Sequence, residues 1–140
     1  MSVTAVSADT PVLGFGYEGL TQAELVAVVA DSGVTVLVDV RLNPISRKRG
    51  LSKTALSAAL DAAGIRYVHL RGLGNPKWNR EGFATLDPRP RATYREMLTS
   101  GDGQRHLDAL RALCAQETVG LLCFEASPQH CHRDVLLDLL

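Results

Sequence analysis

Val119-Gly120-Leu121-Leu122-Cys123-Phe124, near the end of the 140-residue chain, is an apolar run of strand length. A polar turn follows, Glu125-Ala126-Ser127-Pro128-Gln129-His130, and Cys131-His132-Arg133 then opens an apolar helix that runs to Leu140. Strand, short loop and helix in this order make one half of a parallel α/β unit. The first turn of that helix carries Cys, His and Arg. Free amides at a helix N-terminus favour negative charge, and an arginine fork matches carboxylate or phosphate. The stretch predicts both a layered α/β fold and an anion-handling site at one edge of its sheet.

The same alternation continues upstream. Pro11-Val12-Leu13-Gly14-Phe15 reads as the first strand and breaks at Gly16-Tyr17-Glu18-Gly19. Thr21 caps the next helix, with Glu24 at the capping-box position and Leu25, Val28 and Val29 on its apolar face. Val34-Thr35-Val36-Leu37-Val38-Asp39-Val40 is apolar nearly throughout and rich in β-branched residues, the pattern of a strand covered on both faces. A polar loop, 41–50, leads to Ser52, read as the cap of a second helix bearing Leu56 and Leu60. Ile65-Arg66-Tyr67-Val68-His69-Leu70 is the third strand. Arg71 to Arg91, dense in Gly, Asn and Pro, is read as a long irregular excursion, and long loops are often functional. Tyr94 to Leu98 is a short helix, and Asp102 to Gln116 a longer one with Leu107, Leu110 and Leu113 at helical spacing. The expected architecture is therefore a three-layer α/β sandwich. Its central sheet is mainly parallel, with about four or five strands and helices on both faces.

Composition bounds the function. Residues 1–10 read as a tail and residues 11–140 as one α/β domain, long enough to bury about two thirds of its unfolded surface without disulfides. Formal net charge is zero, which gives no global drive toward nucleic acid or anionic membrane. Twelve of the 15 basic residues are Arg, a residue suited to gripping planar anions whose frequency also rises with genomic GC content. Three cysteines, Cys114, Cys123 and Cys131, do not make a disulfide framework, so reduced thiols and a cytoplasmic location are expected. No apolar run reaches membrane-span length.

In parallel sheets ligands bind at the carboxyl ends of the strands. Those ends here carry Tyr17 and Glu18, Asp39 and Arg41, His69, and Glu125. The ordered set Gly16-Tyr17-Glu18-Gly19, Asp39-Val40-Arg41, Pro44 with Ser46-Arg47, Tyr67-Val68-His69-Leu70 before Leu73-Gly74, Cys123-Phe124-Glu125 and Cys131-His132-Arg133 resembles the bacterial domain of unknown function number 488. The resemblance runs from about Leu13 to Leu140 and implies a fold and a residue pattern, with no reaction attached. Members of that family often continue past the last helix into a further short strand; this sequence ends at Leu140, so one sheet edge is expected to differ.

Each candidate has a functional and a structural reading. Arg41 is an anion clamp, or an ion pair with Asp39 or Glu125 that ties loops together, since a buried charge must be paired either way. Arg47, Lys48 and Arg49 gather phosphate or form a solvated face, with Arg47 the one placed by a defined turn. Cys131 is a thiolate nucleophile or a buried structural residue; the two-residue step to Arg133 is not the Cys-x5-Arg spacing of phosphatase loops. His130, Cys131, His132 and His69 raise the question of a metal. Adjacent residues do not easily share one ion and Cys-x2-Cys is absent, so neither metal nor cofactor is expected. His132 with Glu125 or Asp39 forms an oriented acid/base pair, or caps the loop. Glu18 and Glu125 serve as general acid and base, or neutralise Arg41 and Arg133. Trp78 is an aromatic lid or a pin to the core.

The set describes an enzyme for a small phosphorylated or nucleotide-like anion, with hydrolytic or glycosidic cleavage as the reaction it suits. Arg41, Arg47 and Arg133 hold the ligand together with Asp39 and His69; Glu125, His132, Cys131 and Glu18 are the catalytic candidates, and Tyr17 orients the substrate. The alternative is a non-catalytic module binding nucleic acid or protein through the basic loop, with its Arg, Glu and His in a structural network; neutral charge does not favour it. Oligomeric state is not legible.

Overall fold

The computed structural model describes residues 12–125 and 131–140. Four strands, β1 (Val12–Gly16), β2 (Val36–Asp39), β3 (Arg66–His69) and β4 (Val119–Cys123), form one parallel sheet in the order β1-β4-β2-β3. Every pairing is parallel. The expected tail at residues 1–10, the first residue of the predicted β1, Pro11, and the turn residues 126–130, with His130, lie outside the described residues.

Alternation along the strands splits the core in two. Val12, Val36, Val38, Val119 and Leu121 point to one face, and Phe15, Leu37 and Leu122 to the other. Against the second face pack α1 (Gln22–Asp31), through Leu25 and Val29, and α2 (Lys53–Ala62), through Leu56 and Leu60. Against the first pack α4 (Pro88–Met97), α5 (Gly101–Cys114) and α6 (Arg133–Leu139), through Tyr94, Leu107, Leu110, Val135 and Leu136. This is the three-layer sandwich read from the sequence. Each buried apolar side chain of this size contributes about 1.5–3 kcal/mol by leaving water. In the central strand β4, Gly120 leaves room for the Phe15 ring, which would stand 2.6 Å from a methyl group there.

Local signals set the helix ends. Thr21 Oγ1 accepts from the Glu24 amide, and Glu24 Oε1 accepts from the Thr21 amide, completing the capping box. Gly33 and Gly64, both at positive φ, stop α1 and α2. Ser52 precedes α2 as expected but caps nothing with its hydroxyl. Its Oγ instead accepts from the Ser46 amide and donates to the Ser46 carbonyl, pinning the 41–50 loop.

The 71–91 segment departs from the irregular loop read in the sequence. It folds as single 3-10 turns at Arg71–Leu73 and Lys77–Asn79, a short α3 (Glu81–Ala84), and the start of α4. Asp87 caps α4, and Pro88 supplies its first turn, so this helix begins six residues before the predicted Tyr94. No helix among the described residues is long and apolar enough to cross a membrane.

Candidate functional site

Strand register places the polar residues. Asp39 pairs with Leu122 on one side and His69 on the other, and Gly16 pairs with Cys123, so the carboxyl ends form one rim. The chain leaves β1 and β2 toward α1 and α2 on one face, and leaves β4 toward α6 on the other. A crevice opens where such connections diverge. Here it is a cavity of about 100 Å³. Tyr17, Arg41, Leu42, Glu125, Cys131 and His132 are among its walls. So are Asn75, Arg80 and Phe83 from the excursion.

Beneath the rim lies a buried ion pair. Asp39, with no exposed surface, accepts from the Arg41 amide at 3.0 Å, from Arg41 Nε at 2.9 Å and from Arg41 Nη2 at 2.7 Å. The Tyr67 hydroxyl also donates to Asp39, and burial together with the neighbouring carboxylate raises the phenol's pKa. Arg41 Nη1 donates to the Leu51 carbonyl at 2.7 Å and its guanidinium lies 5.3 Å from the Tyr17 ring centroid. Burial opposes the guanidinium charge, and Asp39 more than restores it. The partner of Arg41 is thus Asp39, not Glu125. His69 stands outside the cavity wall and braces it, with Nε2 2.7 Å from the Arg41 carbonyl.

His132 is held by a contact 92 residues away in sequence: Nε2 lies 2.7 Å from the Val40 carbonyl. A carbonyl only accepts, so Nε2 carries the proton and Nδ1 keeps its lone pair. The Tyr94 ring meets the imidazole edge-on at 5.2 Å between centroids. Burial pushes the His132 imidazole down to about 4, with the Val40 carbonyl opposing. Near pH 7 this imidazole is therefore held neutral.

A pH dependence follows for the disulfide form. Between about 4 and the ordinary 6.5 the unfolded chain carries the extra proton on His132, so stability rises with pH across that window. The loss on acidification is about 3 kcal/mol. Urea midpoints of the parent should fall more steeply from pH 7 to pH 4 than those of His132→Gln; parallel curves would refute the buried neutral imidazole.

Cys131 is bonded to Cys123. Its sulfur is therefore no nucleophile in this state, which corrects the expectation of reduced thiols. Arg133, fully buried, extends along Gly14, where a methyl group would stand 3.3 Å from its Cδ. Burial pulls its guanidinium down to about 10, with Glu125 and Asp134 opposing. It underlies the cavity and is not among its lining residues. The helix it opens has seven residues, and His132 makes no side-chain cap.

Glu125 is the one carboxylate among the described residues of the cavity wall. Burial raises its pKa, Arg133 and Arg80 opposing and Glu18 adding to the rise. Glu18 itself is exposed beside this rim, its amide bonded to the Phe124 carbonyl. Arg47 and Arg49 face solvent. Lys48, between them, turns inward to the Leu20 carbonyl at 2.9 Å. Trp78 is 72% exposed, so it is neither pinned to the core nor part of the cavity.

The wall residues that the excursion supplies, Asn75, Arg80 and Phe83, were not among the sequence candidates. Arg80 Nε donates to the Asn75 carbonyl, and Asn79 Nδ2 donates to Asn75 Oδ1, which holds the excursion over the cavity. Among the described residues no carboxylate forms an ion pair with Arg80. Gly74 permits the close approach: a methyl group there would stand 2.3 Å from Leu42 Cα. A helical turn carrying Asn-x3-Asn-Arg was the available signal.

The family model for the domain of unknown function DUF488 matches residues 21–140. Arg41, Glu125, His132 and Arg80 lie within the matched stretch, and Tyr17 and Glu18 precede it. No curated protein and no solved structure matches the chain.

Proposed function

The chain belongs to the DUF488 family, and from its site we propose that it is an enzyme that binds a small anion at the carboxyl edge of the sheet and cleaves it hydrolytically. The observation that carries this reading is the cavity itself. Its walls bring together one carboxylate, Glu125, and Arg80, Arg41, Tyr17 and His132.

Size narrows the ligand. A volume of about 100 Å³ is far below the roughly 300–1,000 Å³ that encloses a drug-sized molecule. It suits a phosphoryl-sized group. The rest of a nucleotide-like ligand would lie across the mouth, where Phe124 is 44% exposed and Ile45 78% exposed. Phe124 offers a face for a base to stack on.

The roles divide by what each group is free to do. Arg80 meets the anion, because Arg41 is committed to Asp39. Glu125 moves the proton, since it is the carboxylate that reaches the cavity. His132, its Nε2 engaged by Val40, orients the wall. Asp39 and His69 position Arg41, Tyr17 orients the ligand from the rim, and Arg133 biases the floor positive.

A charge-assisted hydrogen bond contributes about 1.5–3 kcal/mol. Arg80→Ala should therefore weaken binding of a phosphorylated ligand roughly tenfold to a hundredfold. Calorimetric titration of parent and variant with inorganic phosphate, a sugar phosphate and a nucleoside monophosphate checks this. Equal affinities, or no binding by the parent, would remove the anion site.

A further inference from the structure

We propose that, once its disulfide is reduced, the protein binds one zinc-type divalent ion in the cavity floor through Cys123, Cys131 and His132. The inference goes beyond the anion reading and does not depend on it.

Three buried donor atoms converge here, all within 4.8 Å of one another. Cys131 Sγ and His132 Nδ1 are 3.6 Å apart. A tetrahedral ion with bonds of about 2.3 Å to sulfur and about 2.0 Å to nitrogen holds its ligand atoms roughly 3.5–3.8 Å from each other. The two neighbours in sequence already stand at that spacing. Although adjacent in sequence, Cys131 and His132 aim both donor atoms at one point.

The surroundings suit an ion. The Val40 carbonyl holds the His132 proton on Nε2, so Nδ1 turns its lone pair toward the sulfurs. Metal-binding imidazoles are oriented in this way by a carbonyl or carboxylate on the far nitrogen. Both sulfurs have N–H groups beside them: the Arg133 amide lies 3.5 Å from Cys131 Sγ, and Arg133 Nη1 lies 3.6 Å from Cys123 Sγ. Such donors offset the charge of thiolates. The cysteine Cα atoms are 7.3 Å apart, beyond the roughly 4.4–6.8 Å usual for sulfurs joined directly, and an ion between them fits the wider span.

Two thiolates and an imidazole select zinc over magnesium or calcium. With three protein ligands the fourth position faces the cavity, next to Glu125, whose Oε2 lies 3.5 Å from Cys123 Sγ.

The steps balance. A phosphine opens the sulfur–sulfur bond: it takes the oxygen of one water to become the phosphine oxide, and the two hydrogens go to the sulfurs. The divalent ion then displaces two thiol protons, which leave to solvent.

The test uses the full chain, reduced with a phosphine under anaerobic conditions, mixed with Zn²⁺ and desalted. Elemental analysis should find one zinc per chain, against almost none in the disulfide form. Co²⁺ in place of zinc should give a thiolate-to-cobalt charge-transfer band. Cys114→Ala, altered on the half-buried α5 cysteine, should keep both signals. His132→Gln should weaken zinc at least tenfold. If the reduced parent retains no zinc, if bound cobalt lacks the thiolate band, or if Cys114→Ala abolishes retention, the site does not exist. The parent measurements decide even where His132→Gln fails to fold. Zinc content and the cobalt band read the metal alone, so anion titration can fail without touching them.

Discussion

Asp39→Ala lowers the unfolding free energy by about 3–5 kcal/mol, the usual cost of leaving a buried charge without its partner. The loss falls on a protein whose whole stability is on the order of 5–15 kcal/mol. Asp39 has no exposed surface and Arg41 has 7%. Removing the carboxylate strips Arg41 of the acceptor for its amide, Nε and Nη2, and among the described residues leaves the Leu51 carbonyl and the Tyr17 and Tyr67 hydroxyls beside the guanidinium. The Tyr67 hydroxyl loses its acceptor as well. Thermal unfolding should move down by on the order of 10–20 °C.

The pair is asymmetric, and this gives a sharper test. A carboxyl left alone can take up a proton and shed its charge; a guanidinium cannot. Arg41→Met should therefore cost less than Asp39→Ala. The double variant Asp39→Leu with Arg41→Met should recover much of the loss, because apolar replacement of a whole buried pair is often close to neutral. Urea denaturation of the three variants checks the order. Should Asp39→Ala match the parent, or Arg41→Met prove the worse, the rim is not built on this pair. The site would feel the loss too, since Arg41 and Tyr17 are cavity walls supported from below by Asp39.

The strands were legible because parallel strands buried on both faces read as nearly unbroken apolar runs: Val36 to Asp39 and Val119 to Cys123 sit where the sequence puts them. The rim was legible for the same reason. Once strands are parallel and in register, the polar residue after each apolar run must reach one edge, which is how Tyr17, Arg41 and Glu125 come together; His132 reaches the same edge from the start of α6. What escaped was everything decided by contacts distant in sequence. The turns between Arg71 and Ala84 are held by Asn75, Asn79 and Tyr94, whose hydroxyl donates to the Leu73 carbonyl, and no local propensity announces them. Arg80 looked like one more surface arginine. The commitment of Arg41 to Asp39 was one of two readings left open, and only its bond geometry decides between them. For His132 the acid/base and loop-cap readings were both open, because nothing near it in sequence reveals the Val40 carbonyl that its Nε2 meets.

Glu125→Gln should separate stability from activity. In the proposed reaction the Glu125 carboxyl transfers the proton, a role that contributes typically 10²–10⁴ in rate, and the amide cannot perform it. Turnover of whichever phosphorylated ligand the parent cleaves should fall by about that factor, with binding little changed. Stability should move the other way. Burial raises the Glu125 pKa even with Arg133 and Arg80 pulling it down, so ionising this carboxyl works against the folded state after its neighbours are counted. Between its ordinary and its raised value the folded chain holds more protons than the unfolded one, and stability therefore declines as pH rises through that interval. Glutamine keeps the shape and removes the charge. The variant should be more stable than the parent at pH 7 and should lose that advantage in acid, where the parent's carboxyl is protonated. Denaturation midpoints for both proteins at pH 4 and pH 7, beside single-turnover rates, test the two halves separately. A variant that is inactive and also less stable at pH 7 would make Glu125 a structural partner of Arg133. One that is more stable with its rate intact would leave the cavity without its proton carrier.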